Sequence, residues 1–375
     1  MKITFLTGTR ADYGKIKSLL SVLKNSEKFE VDLIVTGMHL VPKYGNTFRE
    51  IEKDALVDIY KIPHENYLDN NIAYSISHNT IKISELIRKL KTDLLIVHGD
   101  RAEALSGAIA ALSENVAVGH IEGGEVSGTI DEMFRHSISK LAHIHFVSND
   151  KAKQRLKLLG ELEKNIFVIG SPDLDLMTSD LPSLEKAKKR YDLAFNNFGI
   201  FILHPVTTSL ETLKMEVEST CDALVQSGNE HLVIYPNNDP GSEIIVKTLH
   251  KKFDGNNKFK IIPSLRFEFF LTCLKNADYI IGNSSCGVRE APFYGLPAIN
   301  LGIRQDNRAF SQSIINCSFE ADEILNAISI TSTMSRIPSN EFGDGNSATH
   351  FYKVMNSLLE KDIAIQKSIS DVYDI

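Results

Sequence analysis

Short apolar runs alternate with longer amphipathic stretches along the whole chain. In the first half the runs are Ile3–Thr7, Val31–Val35, Asp93–Val97, Val116–His120, Ile144–Val147 and Ile166–Ile169. Between them lie stretches with helical spacing, such as Ile16–Leu23 and Ile81–Leu90. The second half repeats the pattern with Gly199–Leu203, His231–Tyr235, Phe259–Ile262, Tyr279–Ile281 and Ala298–Leu301. Buried strands alternating with helices predict an α/β protein whose parallel sheets carry helices on both faces.

A chain of 375 residues is too long for one compact core and suits two such domains. The first series of strands ends at Gly170-Ser171-Pro172-Asp173, and a polar, charged stretch follows up to Arg190. The expected division is therefore an N-terminal domain over 1–172 and a C-terminal domain over 173–350. The remaining segment, 351–375, contains a last helical stretch, Tyr352–Leu359, which can pack back on the first domain.

Composition narrows the classes. A hydrophobic fraction of 43% and a charged fraction of 24% are those of an ordinary globular protein. The net charge of -7, with no basic tract to offset it, argues against nucleic-acid binding. The four cysteines show neither CxxC nor metal-ligand spacing, and His143-Ile144-His145 merely alternates along a strand, so no metal site is expected. No apolar run reaches membrane-spanning length, and Met1-Lys2 leads straight into a strand, so a cytoplasmic protein without membrane contact is expected. With no Trp in the chain, a sugar cannot stack on indole.

Candidate chemistry gathers at the carboxyl ends of predicted strands, where open α/β sheets bind ligands. His98-Gly99-Asp100-Arg101 ends one strand, and His120-Ile121-Glu122-Gly123-Gly124-Glu125 ends the next. Asp100 beside Arg101 is explained by a simple ion pair, but its strand-end position favours function. Glu122 precedes two glycines whose missing side chains would admit a ligand close to the backbone. Thr129-Ile130-Asp131-Glu132 fits a capping box, with Thr129 as N-cap and Glu132 reaching back. Ile130, Met133, Phe134, Ile138 and Leu141 would then form one buried stripe. Glu132 is thereby accounted for structurally, which leaves Asp131 as the better catalytic candidate. Several carboxylates in one place suit proton transfer at carbon or at a glycosidic bond.

Phosphate-compatible features lie in both halves. Gly8-Thr9-Arg10-Ala11-Asp12 follows the first strand and opens a helix. It is neither a dinucleotide fingerprint nor a Walker loop, so no redox cofactor or ATP is expected. Backbone N–H groups and Arg10 would still suit a phosphate, with an ordinary tight turn as the equally good plain explanation. Gly282-Asn283-Ser284-Ser285-Cys286-Gly287-Val288-Arg289-Glu290 is the stronger signal. Small residues at a helix start would let a diphosphate approach free amides, with both serine hydroxyls as further donors. Glu290 would either accept from ribose hydroxyls or simply favour the helix amino terminus. Arg304 has a similar strand-end placement, a solvated surface arginine being the plainer account. His204, before Pro205-Val206-Thr207-Thr208, would donate to a phosphate or act as an acid, unless it only anchors a turn.

These motifs together resemble the hydrolysing UDP-N-acetylglucosamine 2-epimerases of bacterial sialic acid synthesis, from Met1 to about Arg308. The resemblance implies a GT-B-like fold, two Rossmann-like domains with the active site in the interdomain cleft. It implies conversion of UDP-N-acetylglucosamine and water to N-acetylmannosamine and UDP, through 2-acetamidoglucal and without a cofactor. It implies Asp100, Glu122, Asp131 and His204 as catalytic residues. Arg10, Ala11, Arg101, Asn237, Ser284, Ser285, Glu290 and Arg304 fall at its UDP-binding positions, with Glu290 on the ribose. A homodimer or homotetramer serving sialic acid and capsule polysaccharide synthesis is also implied.

The non-hydrolysing epimerases resemble HVEAG followed by PEE, from which His120–Glu125 and Thr129–Asp131 depart. Hydrolysing epimerases of UDP-diacetylbacillosamine, on the route to legionaminic acid, share most of the motifs. A GT-B glycosyltransferase or a nucleotide-sugar binding protein would share the fold and the nucleotide site, but needs no such carboxylate cluster.

Overall fold

A computed structural model describes residues 1–42, 45–63, 72–126, 131–206, 209–236, 239–305, 311–361 and 363–368. The chain divides into two compact units, each with its own parallel sheet. It passes from the first to the second at Thr178/Ser179 and returns at Glu341/Phe342, rather than dividing at 172/173 and 350/351. The described residues from Phe342 onward count with the first unit.

The first unit's sheet comprises β1 (Lys2–Thr7), β2 (Glu30–Val35), β3 (Asp58–Lys61), β4 (Leu94–His98), β5 (Ala117–Ile121), β6 (Ile144–Val147) and β7 (Ile166–Val168). Their order is β3-β2-β1-β4-β5-β6-β7, all parallel. Alternate residues of the central strands enter different cores, because successive side chains point to opposite faces. Ile3 and Phe5 of β1 join Leu94 and Ile96 of β4 in one, while Leu6 joins Leu95 and Val97 in the other. The first face is covered by the helix Arg10–Lys24 through Ile16, Leu19, Leu20 and Leu23. The helix Ser347–Leu358 packs there as well, its Phe351 ring 4.8 Å from that of Phe146. Asp175 caps this returning helix by accepting from the N–H groups of Ser347 (2.7 Å) and Ala348 (2.8 Å). The opposite face is covered by helices Ile72–Leu90, Ala102–Ser113 and Asp131–Leu141, through Ile83, Ile87, Ala108 and Ile138.

The second unit has β8 (Gly199–Ile202), β9 (His231–Ile234), β10 (Phe259–Ile262), β11 (Tyr279–Gly282), β12 (Ala298–Leu301) and β13 (Ile314–Cys317). Their order, β10-β9-β8-β11-β12-β13, has the same form as the first sheet. In each sheet the order reverses once, at β1/β4 and at β8/β11, and those switch points are where ligands bind in open α/β sheets. Two strands absent from the sequence expectation, β3 and β13, lie at sheet edges and are at most half-buried. Exposed Asp58 and Lys61 interrupt the apolar pattern of β3, and Asn316 that of β13, whereas the other edge strands, β7 and β10, fall on the expected runs.

Candidate active site

In the first unit the switch point brings charged groups from β1, β4 and β5 together. Thr9 caps the helix Arg10–Lys24, and Asp12 closes the capping box. Asp12 accepts from the N–H of Thr9 (3.1 Å) and of Gly8 (3.4 Å). Two of the loop's amides, those of Gly8 and Thr9, therefore serve the protein's own carboxylate. Arg10 donates to Glu50 at 2.9 Å, and Ala11 is exposed beside it. The plain helix-start explanation of this motif is the one its hydrogen bonds satisfy.

His98 ends β4 with its ring buried, Nε2 3.3 Å from Glu122 and Nδ1 3.7 Å from Asp12. Burial alone would depress its pKa, but the charge of Glu122 and the interaction with Asp12 outweigh it, raising His98 to about 9. It is an imidazolium at neutral pH. Burial also pushes Asp12 upward, yet His98 and then Arg101 hold it below the ordinary value.

Glu122 follows β5 in a left-handed conformation, φ 62°, which a non-glycine residue adopts at a cost of about 1 kcal/mol. That bend turns the carboxylate inward, where it is 3% exposed. Lys15 Nζ lies 3.3 Å from both carboxylate oxygens, and Ser171 Oγ donates to one at 2.7 Å. Lys15 also stands 3.4 Å from the fully buried Asp173. Two cations and a hydroxyl around Glu122 compensate the cost of burying its charge.

The glycines after Glu122 do not open the backbone to a ligand as expected. A Cβ on Gly123 would stand 2.8 Å from Ser139 Oγ, and one on Gly124 would stand 2.4 Å from the carbonyl oxygen of Ala152. They make room for the protein's own side chain and helix. Ser139 Oγ is 3.0 Å from His120 Nδ1, and His120 Nε2 is 2.8 Å from the carbonyl oxygen of Gly99. Burial lowers His120 to about 3, so this ring is neutral and braces the β4 end against the helix Asp131–Leu141.

Asp100 follows Gly99 and accepts from Arg135, whose guanidinium is buried on the same helix. Asp131 opens that helix and is half-buried. Glu132 is 3.3 Å from His136 one turn on, and its expected cap partner Thr129 lies outside the described residues. The expected apolar stripe is corrected: Met133 is 68% exposed, while Phe134 and Leu141 are only half-buried. Ile138 is buried as expected and Ile130 lies outside the described residues, while Arg135 and Ser139 face inward beside Ile138. Polar side chains occupy that stripe because Asp100 and His120 satisfy them there. Arg101, next to Asp100, is half-exposed, 3.4 Å from the buried Glu103.

In the second unit the switch point is built on Gly282 and Asn283. Gly282 has φ 135°, and a Cβ there would lie 1.8 Å from the carbonyl oxygen of Ile202. Asn283 then reaches across from β11 to the end of β8. It accepts from the His204 N–H at 2.7 Å and donates to the His204 carbonyl at 2.8 Å. Its own carbonyl accepts from Arg304 and Gln305, each at 3.0 Å. Burial, followed by the Arg304 charge, lowers His204 to about 3, so it offers a neutral imidazole and no cation.

Ser284 precedes a single 3₁₀ turn, Ser285–Gly287, and Glu290 opens a helix of only four residues, Glu290–Phe293. The helix expected after the serines begins only at Glu290, and it ends before Gly295-Leu296-Pro297 as the sequence suggests. Any anion held at Ser284 and Ser285 meets hydroxyls and a turn rather than a helix dipole. Glu290 is 5% exposed. The Cys286 thiol is buried and pushed up to about 12, as suits a packing residue. Asn237 lies outside the described residues.

Thus Asp100, Glu122 and Asp131 belong to one unit, together with Arg10, Ala11 and Arg101. His204, Ser284, Ser285, Glu290 and Arg304 belong to the other. Lys15, Arg135, Ser171 and Asp173 were not singled out by sequence, nor were Asn283 and Gln305 as organising residues.

Comparison with known proteins gives this arrangement a family. The family described as UDP-N-acetylglucosamine 2-epimerase matches residues 21–356. The chain belongs to that family. The UDP-N-acetylglucosamine 2-epimerase of Neisseria meningitidis serogroup B is 42% identical over 377 residues, covering 99% of each chain. The UDP-N,N'-diacetylbacillosamine 2-epimerase (hydrolyzing) of Legionella pneumophila is 35% identical over 362 residues, covering 95% of this chain and 96% of that one. Among solved structures, a Neisseria meningitidis UDP-GlcNAc 2-epimerase bound to UDP-GlcNAc superposes with a TM-score of 0.80 at 18% identity. It covers 96% of this chain and 100% of its own, and at that identity the likeness establishes the shared GT-B-like fold of this epimerase family.

Proposed function

We propose that the protein is a hydrolysing 2-epimerase that converts UDP-N-acetylglucosamine and water to N-acetylmannosamine and UDP. The observation that carries the reading is the set of carboxylates at one switch point, Asp100 and Glu122 at neighbouring strand ends and Asp131 on the adjoining helix. The 42% identical epimerase supports the sugar, and the 35% identical hydrolysing epimerase supports release of UDP.

The reaction needs two proton steps and a leaving group. Asp100 or Asp131 removes the C2 proton as the C1–O bond to UDP breaks, which forms the C1=C2 bond of 2-acetamidoglucal. Water then adds at C1 and a proton returns to C2 from the opposite face. Distinct carriers on the two faces are required for inversion. Arg135 holds Asp100 in one orientation, while Lys15, His98 and Ser171 do the same for Glu122. Ser284, Ser285, Arg304 and neutral His204 offer donors to the diphosphate, and Glu290 an acceptor to ribose. Arg10, Ala11, Arg101 and Asn237 complete the nucleotide contacts in this reading.

The reading carries with it a cytoplasmic homodimer or homotetramer supplying sialic acid for capsule polysaccharide. UDP-diacetylbacillosamine is the second substrate to weigh, because the Legionella relative bears that sugar in its name. Parallel assays with the two nucleotide sugars test the choice. Faster UDP release with UDP-N-acetylglucosamine, accompanied by N-acetylmannosamine, is expected. Preference for the diacetylated sugar would reassign the substrate, and UDP-N-acetylmannosamine as product would remove the hydrolytic step.

A further inference from the structure

The helix Asp131–Leu141 follows the strand end that carries Glu122 and leads into the start of β6. Its last turn leaves carbonyl oxygens without partners inside the helix, as every helix end does. Lys367, far along the chain, supplies them. Its ammonium lies 3.2 Å from the Ser139 oxygen, 2.8 Å from that of Lys140 and 2.7 Å from that of Ala142.

The same ammonium is 2.6 Å from Glu161, whose carboxylate is 2% exposed. Glu161 also accepts from Lys140 at 2.7 Å and contacts His145 Nε2 at 3.0 Å. Burial would raise Glu161, but His145, Lys140 and Lys367 together hold it at about 2. A second anchor lies two residues earlier. His143 Nδ1 accepts from the Val118 N–H at 3.1 Å, so its proton sits on Nε2, which donates to the Ile365 oxygen at 3.0 Å. The stretch 363–368 is thus fastened at Ile365 to His143, just before β6, and at Lys367 to the helix end and Glu161.

We propose that Lys367 is a positioning residue for the acid–base machinery, a strap that fixes the far end of the helix bearing Asp131, Arg135 and Ser139. The helix has 11 residues, so the strap acts about 15 Å from Asp131. All three side chains ride on it: Asp131 opens it, Arg135 orients Asp100, and Ser139 holds His120 against Gly99. A helix free to shift at its carbonyl end changes these relations together. The partners of Lys367 given above include none of the proposed nucleotide-contacting residues. Only the activity readout below rests on the proposed reaction.

Lys367→Met in the full chain tests the strap. Amide exchange over 131–142 should rise about tenfold or more, while peptides from 199–301 stay unchanged. With UDP-N-acetylglucosamine, kcat should fall about ten- to hundredfold, with KM and UDP affinity held within about twofold. Lys367→Arg, which keeps a cation, should recover part of kcat. A role in general stability alone would move KM, UDP binding and exchange across both units together. If Lys367→Met fails to fold, Glu161→Gln combined with Lys367→Met removes the stranded buried carboxylate and carries the same measurements. Unchanged exchange over 131–142, or raised exchange with unchanged kcat, overturns the proposal. Should the wild type not turn over this substrate, the proposed reaction fails, and exchange alone still decides whether Lys367 holds the helix.

Discussion

Replacing Glu122 by Gln should unseat the buried imidazolium of His98. His98 rises from its ordinary 6.5 to about 9 although it is buried, and Glu122 supplies the largest favourable charge. That rise corresponds to about 3 kcal/mol of preference for the protonated ring. Gln keeps the shape and removes the charge, leaving burial and the Lys15 charge acting against Asp12. In Glu122→Gln the His98 pKa should drop to its ordinary value or below. Selectively labelled histidine, with the His98 signal assigned by its loss in His98→Gln, reads this directly among the 12 histidines.

Stability follows with a defined sign. A folded pKa above the unfolded one contributes stability that is complete below about pH 6.5 and lost as pH rises through about 9. Wild-type urea midpoints should therefore decline across that window, by up to about 1.4 kcal/mol per pH unit from this group, and the variant should lack that decline. A wild-type His98 titrating near 6.5, or a variant His98 still near 9, would refute the reasoning.

Asp131→Asn should lower turnover by about 10²- to 10⁴-fold. Glu132→Gln, which weakens the i,i+4 contact with His136 but keeps a side chain able to serve in a helix cap, should change it less than about threefold; equal losses in steady-state assays would undo the distinction. Gly282→Ala places a Cβ 1.8 Å from the Ile202 oxygen at a positive φ, so thermal melting should show a loss of about 3 kcal/mol or more. Asn283→Ala strands the buried N–H and carbonyl of His204, which should cost about 2–3 kcal/mol of stability. Calorimetry should also find UDP binding weakened in that variant.

The interior strands were legible because burial on both faces demands continuous apolar residues, as in Leu94–Val97. The edge strands β3 and β13 were not, since Asp58 and Lys61 break the first run and Asn316 the second, whereas the edges β7 and β10 keep theirs. Asp100 and Glu122 were visible as carboxylates at strand ends. Their partners were not, because each comes from a distant element. Lys15 lies within the first helix and Arg135 within another, and both look like ordinary polar-face residues until folding supplies Glu122 and Asp100. Asp12 shows the converse: a residue that looked like part of a phosphate loop closes the capping box of the first helix and accepts from the Gly8 and Thr9 amides. The pairing of Asn283 with His204 joins positions 79 apart, a relation fixed only by the strand order.

The reaction itself is open to a single measurement. Turnover of UDP-N-acetylglucosamine in deuterated water should yield N-acetylmannosamine carrying one deuterium at C2, with an equal amount of UDP. Product bearing only protium at C2, or label in a sugar still joined to UDP with no free N-acetylmannosamine, would contradict elimination and rehydration at the carboxylate cluster.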